Sequence, residues 1–211
     1  MTERTSERDY IPGMGKHYLF PLYDIAHRVF GLRSIQQEMI TLARLTDGHK
    51  VLDVGCGTGN LLRSTGKRHP RAELTGLDPD PKMLATTRRK TRRAGLSVRL
   101  NRGFAQELPY ADGEFDRVFS SLMFHHLDST SKDELLAEVK RVLKPDGVLV
   151  LADAVFDEHG HRHKIREMAR DNVGDAVSQR ISAAGFTVEP TRKMAMRIGG
   201  TVGVEVARPQ G

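Results

Sequence analysis

The stretch VLDVGCGTGN, Val51 to Asn60, decides the fold. Val51, Leu52 and Val54 supply a buried strand, and Gly55, Gly57 and Gly59, spaced G-x-G-x-G, lead at once into helix-forming residues. This is the pattern of a parallel strand that turns sharply into a helix. Glycine is needed where the backbone takes φ > 0 or a ligand approaches closely, so the turn points to a small molecule lying over it. A second strand, 72–78, ends in Asp78, 19 residues after Gly59. An acidic side chain at that spacing can accept from both hydroxyls of a ribose. The triplet lacks the G-x-G-x-x-G spacing of the dinucleotide fingerprint, which argues against NAD.

Outward from this unit, strand and helix alternate as a parallel sheet demands. The pattern predicts strands at 50–54, 72–78, 97–101, 115–120, 147–152, 187–191 and 201–207. Helices are expected at 59–69, 81–94, 131–143 and about 168–184. Only antiparallel neighbours can be joined by a connection as short as Ile198-Gly199-Gly200, so six strands are parallel and the seventh is inserted antiparallel. Residues 1–15 are polar and aperiodic, and a mobile tail is expected there. Residues 16–46 read as a helical segment, with Leu22, Ile25, Ala26, Val29 and Phe30 at helical spacing before Gly31, and Ile35, Met39 and Ile40 after it. Residues 47–211 then form one domain, with no internal repeat.

Further segments carry a family resemblance. Asp53 with GCGTG, LDPD (Leu77 to Asp80), GFAQELPYADGEFDRV (Gly103 to Val118) and LKPDGVLVLAD (Leu143 to Asp153) stand in the order and spacing of a known motif series. They resemble the class I S-adenosylmethionine (SAM)-dependent methyltransferases, in particular the small-molecule type related to the ubiquinone and menaquinone methyltransferases. The likeness is strong over 51–153 and loose at both ends. It implies an α/β fold, a Rossmann-like three-layer sandwich with a seven-stranded, mostly parallel sheet, an antiparallel last strand and an N-terminal helical cap. It also implies SAM as methyl donor and direct SN2 transfer to a small organic acceptor, releasing S-adenosylhomocysteine.

In a doubly wound sheet, ligands lie at the carboxyl ends of the strands. By resemblance, Asp53 and the loop Gly55, Cys56, Gly57 and Gly59 surround the methionine portion of SAM. Asp53 can equally orient the loop through backbone N–H groups. Asp78 binds the ribose, with Pro79 and Met83 near the adenine, and Gly103, Phe104, Ala105, Ser120 and Ser121 complete the cofactor side. The residue after Gly103 is often acidic in the family and accepts from the adenine amino group. Phe104 cannot, so the adenine must rely on backbone groups, on Gln106 or on apolar packing, unless Phe104 is a core side chain. Tyr23, and less so Tyr18, reach over the cleft or else pack on the sheet. In SSLMFHHL, His125 and His126 are the candidate catalytic bases, although a sulfonium leaves readily and methyl transfer needs no base when the partners are aligned.

Composition bounds the rest. With 38% hydrophobic and 28% charged residues the chain reads as soluble and globular. No apolar run approaches the roughly 20 residues of a membrane span, and MTERTSERDY is no signal peptide, so a cytoplasmic enzyme is expected. The single cysteine, Cys56, cannot form an internal disulfide and argues against thiolate-dependent metalloid methylation. His159, His161 and His163 alternate in EHGHRH, but no cysteine or carboxylate completes a metal motif; contact with the acceptor is the alternative, and no metal is expected. The net charge of +6 draws on RRKTRR, Arg88 to Arg93. That run reads as a solvated helix end rather than a nucleic-acid site, because no interleaved aromatics accompany it. An RNA methyltransferase and a SAM-binding protein without catalysis stay open as alternatives, as does the oligomeric state.

Overall fold

The computed structural model describes residues 31–155, 174–197 and 200–211. Its elements are α1 Leu32–Leu42, β1 Lys50–Val54, α2 Asn60–Arg68, β2 Glu73–Asp78, α3 Pro81–Arg93, β3 Val98–Arg102, β4 Phe115–Ser121, a 3-10 turn Phe124–His126, α4 Ser129–Val142, β5 Leu143–Val155, α5 Ala176–Ala183, β6 Phe186–Val188, β7 Arg192–Ala195 and β8 Thr201–Pro209. The sheet runs β3-β2-β1-β4-β5-β8-β6, with β7 also paired to β8. All pairs among β1 to β5 are parallel. β8 is antiparallel to β5, β6 and β7, which makes it the reversed strand among those described. The chain order reverses between β1 and β4, and this switch point is where a doubly wound sheet opens its ligand crevice.

The outermost strand departs from the expected 187–191. It is broken into β6 and β7, both laid along β8, and the break falls at the residues between them, where Glu189 N–H turns to the Val206 carbonyl and Thr191 Oγ1 bonds both carboxylate oxygens of Glu205. Periodicity cannot register such a break, because each half is only a few residues long. β7 and β8 are antiparallel neighbours, with Ala195 opposite Thr201. Helix α4 starts two residues before the expected Ser131 because the Asp128 carboxylate caps it, accepting from Ser131 N–H.

Two apolar layers flank the sheet, as its alternating side chains dictate. Leu52, Val54 and Val118 face Leu135, Leu136 and Val139 of α4 and Val177 and Ile181 of α5. Val51, Phe119 and Val150 face Ile35, Met39 and Ile40 of α1, Leu61 and Leu62 of α2 and Leu84 of α3. Helix α1 is therefore packed directly on the sheet, and its first turns lie beside the carboxyl end of β1. Residues 1–30, with Tyr18 and Tyr23, and 156–173, with His159, His161 and His163, lie outside the described residues.

Candidate functional site

At the carboxyl end of β1 the chain makes three left-handed turns in five residues: Gly55, Gly57 and Gly59 have φ of 71°, 53° and 73°. The three glycines have different neighbours. A Cβ on Gly59 would stand 2.5 Å from Thr87 Cγ2, and one on Gly55 2.5 Å from Met123 Cγ, whereas one on Gly57 would meet nothing within 4 Å. Gly55 and Gly59 thus let α3 and the loop after β4 close on the turn. Gly57 alone faces open space, where a ligand can approach. The turn is clamped from β2 and α3: the N–H groups of Gly55 and Cys56 both donate to the Leu77 carbonyl, and Thr87 Oγ1 donates to the Gly57 carbonyl at 2.8 Å.

Loop orientation, the alternative role read for Asp53, falls to another acid. Asp78 orients the loop, its Oδ2 accepting from Gly57 N–H at 2.8 Å and its Oδ1 from Asp80 N–H at 2.9 Å. Asp53 Oδ1 is buried without a hydrogen-bond partner among the described residues. Burial, and then the nearby charge of Asp78, push the Asp53 carboxyl up to about 8. Burial also raises Asp78, partly offset by its two N–H donors. A cleft opens over the turn, lined by Asp53, Gly57 and Thr58, by Ser121 at the end of β4 and Leu122 after it, and by Gln36 of α1. Leu122 holds φ 54°, a costly conformation for a side chain of its size, fixed by its N–H bond to the Ala152 carbonyl.

The remaining sequence candidates take these places. The Cys56 thiol is buried in the core, which raises its pKa, so only its backbone can meet a ligand. Pro79 and Met83 are half-buried around the start of α3, where Asp80 caps the helix by accepting from Lys82 N–H. Gly103 closes on Leu77 and Ala105 is buried, while Phe104 is half-exposed and joins neither core layer. Gln106 turns its amide N–H to Ser131 Oγ. Ser120 Oγ is buried without a hydrogen-bond partner among the described residues.

The two histidines after β4 are unequal. Asp153, 2% exposed at the carboxyl end of β5, accepts from His125 N–H at 2.9 Å and from Ala154 N–H at 2.6 Å, and its Oδ1 lies 2.5 Å from His125 Nδ1. His126 stacks on His125 with ring centroids 4.0 Å apart, and burial followed by the charge of His125 lowers its pKa to about 4. His125 is thus the oriented imidazole, and His126 stays neutral beside it. Sequence reasoning missed Asp153 as its partner. The available signal was an acid ending the apolar run LKPDGVLVLAD, on the strand next to the one that carries SSLMFHHL. Gln36 was missed too; a buried amide inside the apolar stripe of α1 is the signal there.

Residues 51–147 match the family described as the methyltransferase domain. The demethylmenaquinone methyltransferase of Deinococcus radiodurans is 36% identical over 136 residues, 63% of this chain but only 56% of that protein. The ubiquinone/menaquinone biosynthesis C-methyltransferase UbiE of Cupriavidus necator is 30% identical over 190 residues, covering 85% of this chain and 74% of that one. The chain belongs to the class I SAM-dependent methyltransferase family. Among solved structures, the [4+2]-cyclase SpnF superposes with a TM-score of 0.73 at 20% identity, over 84% of this chain and 81% of that one. That likeness speaks for the methyltransferase fold alone, since a protein named as a cyclase carries it too. Within the described residues no helix is long and apolar enough to cross a membrane, and no group of three His, Cys, Asp or Glu is placed to hold a metal.

Proposed function

We propose that this chain transfers a methyl group from SAM to a small organic acceptor whose hydroxyl or carbon acid gives its proton to His125. The observation that carries the reading is the cleft in which a buried Asp53 oxygen, without a partner among the described residues, lies beside the open face of Gly57. A buried carboxyl oxygen without a donor is costly, and a cationic amino group such as that of SAM relieves the cost. Asp78 fits the ribose as well as the loop, because each carboxylate oxygen has a second lone pair beyond the N–H it already accepts. Phe104, half-exposed after β3, offers a ring face to the adenine in place of an acid.

When bound, SAM supplies an electrophilic methyl on a sulfonium, and direct SN2 displacement leaves S-adenosylhomocysteine. The chain's own contribution is alignment and proton removal. Asp153 already accepts two backbone N–H groups, so it acts as an acceptor and holds the imidazole proton on Nδ1 of His125. Nε2 then keeps its lone pair for the acceptor's proton. The names of the relatives make quinol-like acceptors the first class to try. A cytoplasmic setting suits the single, buried cysteine.

The test is S-adenosylhomocysteine formation from SAM with a panel of quinols and fractionated metabolite extracts, followed by the mass of the methylated product. His125→Gln should slow turnover about 10²-fold while leaving SAM affinity intact. SAM binding without turnover on any acceptor would favour a non-catalytic protein.

A further inference from the structure

The sequence reading took RRKTRR alone, as the solvated end of one helix, and the fold changes its meaning by placing a second basic helix beside it. α2 carries Arg63, Lys67 and Arg68, and α3 carries Lys82, Arg88, Arg89, Lys90, Arg92 and Arg93. Neither helix contains a carboxylate. The chain as a whole is +6, so with nine cations on these two helices everything else sums to −3. The basic excess of the protein is thus wholly local.

The two helices lie side by side in a fixed register. Thr87 bonds Gly57, Lys90 bonds Asn60, and Leu96 packs on Gly66, so each α2 residue stands level with the α3 residue thirty positions on. Arg88 and Arg89 are therefore level with the start of α2, and Arg92 and Arg93 are level with Arg63. Lys67 and Arg68 continue the row past the end of α3. At 1.5 Å per residue this is a cationic strip about 15 Å long, on two helices about 8–10 Å apart. Arg63, Lys67, Arg68, Arg88, Arg89, Arg92 and Arg93 are all exposed.

Several cations elsewhere are used in ion pairs. Arg141 meets Glu138 and Asp112, Arg180 meets Asp133, Arg192 meets Glu38, Arg208 meets Glu189, and Lys144 meets Asp116. No such pair with a described residue engages the four arginines of the strip on α3. A merely solvated helix would tolerate carboxylates at i+4, which add stability, and this one has none.

We propose that the α2–α3 face binds the phosphate backbone of a nucleic-acid duplex. Arginine dominates the strip, and its planar fork matches phosphate oxygens in pairs. The exposed face carries no aromatic residue, so it has no platform for stacked single-stranded bases. It has no apolar anchor either: Leu84 of α3 and Leu61 and Leu62 of α2 point into the core, unlike the apolar face that an interfacial membrane helix needs. The readout is of shape and charge, without base sequence.

The experiment is fluorescence anisotropy of the full chain with labelled 20-base-pair RNA and DNA duplexes at 50 to 200 mM salt, with sedimentation on phosphatidylglycerol vesicles alongside. About five phosphate contacts give a logarithmic salt slope near −4.5, a loss of roughly 500-fold across that range. The variant Arg88→Ala/Arg89→Ala/Arg92→Ala/Arg93→Ala should bind at least tenfold more weakly at 50 mM and flatten the slope by about 3. Its SAM affinity should not move, and it should unfold like the parent. RNA and DNA binding alike supports a generic backbone site, and preference for one duplex form names the source. No duplex binding at 50 mM salt, binding that survives the four substitutions, or binding to vesicles in preference to duplexes overturns the proposal.

Discussion

Replacing Asp53 with asparagine should make the ligand-free protein more stable while crippling its cleft. Burial and the charge of Asp78 raise the Asp53 carboxyl from 3.8 to about 8, so at pH 7 it is neutral in the folded chain and ionised in the unfolded one. The folded state is then the tighter proton binder, and stability falls as pH rises from about 4 towards 8. At 1.36 kcal/mol per pH unit, retaining the proton costs about 4 kcal/mol at pH 7. The asparagine amide keeps the shape and an acceptor oxygen but has no such proton to hold. Asp53→Asn should therefore gain nothing near pH 4, and the gain should grow by about 1.4 kcal/mol per unit to about 4 kcal/mol at pH 7. For a domain of this size that is about 8–16 °C in the thermal midpoint. The same proton opposes a cationic ligand, so SAM affinity of the parent should rise with pH up to about 8, and that rise should vanish in the variant. Thermal unfolding between pH 4.5 and 7.5, paired with calorimetric titration, reads both effects. A change in midpoint that is the same at both ends of that range would refute the assignment of a raised Asp53 carboxyl.

Three further outcomes follow from the geometry. Asp78→Ala should weaken SAM at least tenfold and also cost about 1–3 kcal/mol in chemical denaturation, because it removes the acceptor of the part-buried Gly57 N–H and the buried Asp80 N–H; Asp78→Asn should fall between. Gly57→Ala should cost only about 1–2 kcal/mol of backbone strain yet abolish tight SAM binding, whereas Gly59→Ala adds a clash with Thr87 and should lose more stability, as paired melting and binding curves would show. Asp153→Asn should lower turnover about 10²-fold and change the pH–rate profile, with SAM affinity unmoved, since its carboxylate sets the tautomer of His125 rather than touching SAM.

The glycine turn, the acid ending β2 and the strand–helix alternation were legible because each is written in a local pattern: three glycines at φ > 0, a spacing, a period. The reversed last strand was legible for the same reason, through a connection too short for a crossover. What stayed hidden depends on residues far apart in the chain. Asp53 and Asp78 are alike in sequence, and only the fold shows that Asp78 holds Gly57 while Asp53 keeps an oxygen free. Asp153 meets His125 across 28 positions, through two adjacent strands that local periodicity cannot pair. The break between β6 and β7 and the pairing of two basic helices are likewise products of tertiary packing.

If the turn at Val51–Asn60 closes a SAM cleft, calorimetric titration of the purified chain at pH 8 with SAM, S-adenosylhomocysteine and NAD in turn will show it. The expected result is saturable one-to-one binding of SAM and S-adenosylhomocysteine, weakened at least tenfold by Asp78→Ala, and no heat from NAD. Binding of NAD with no response to SAM, or SAM affinity unchanged in a folded Asp78→Ala protein, would contradict it.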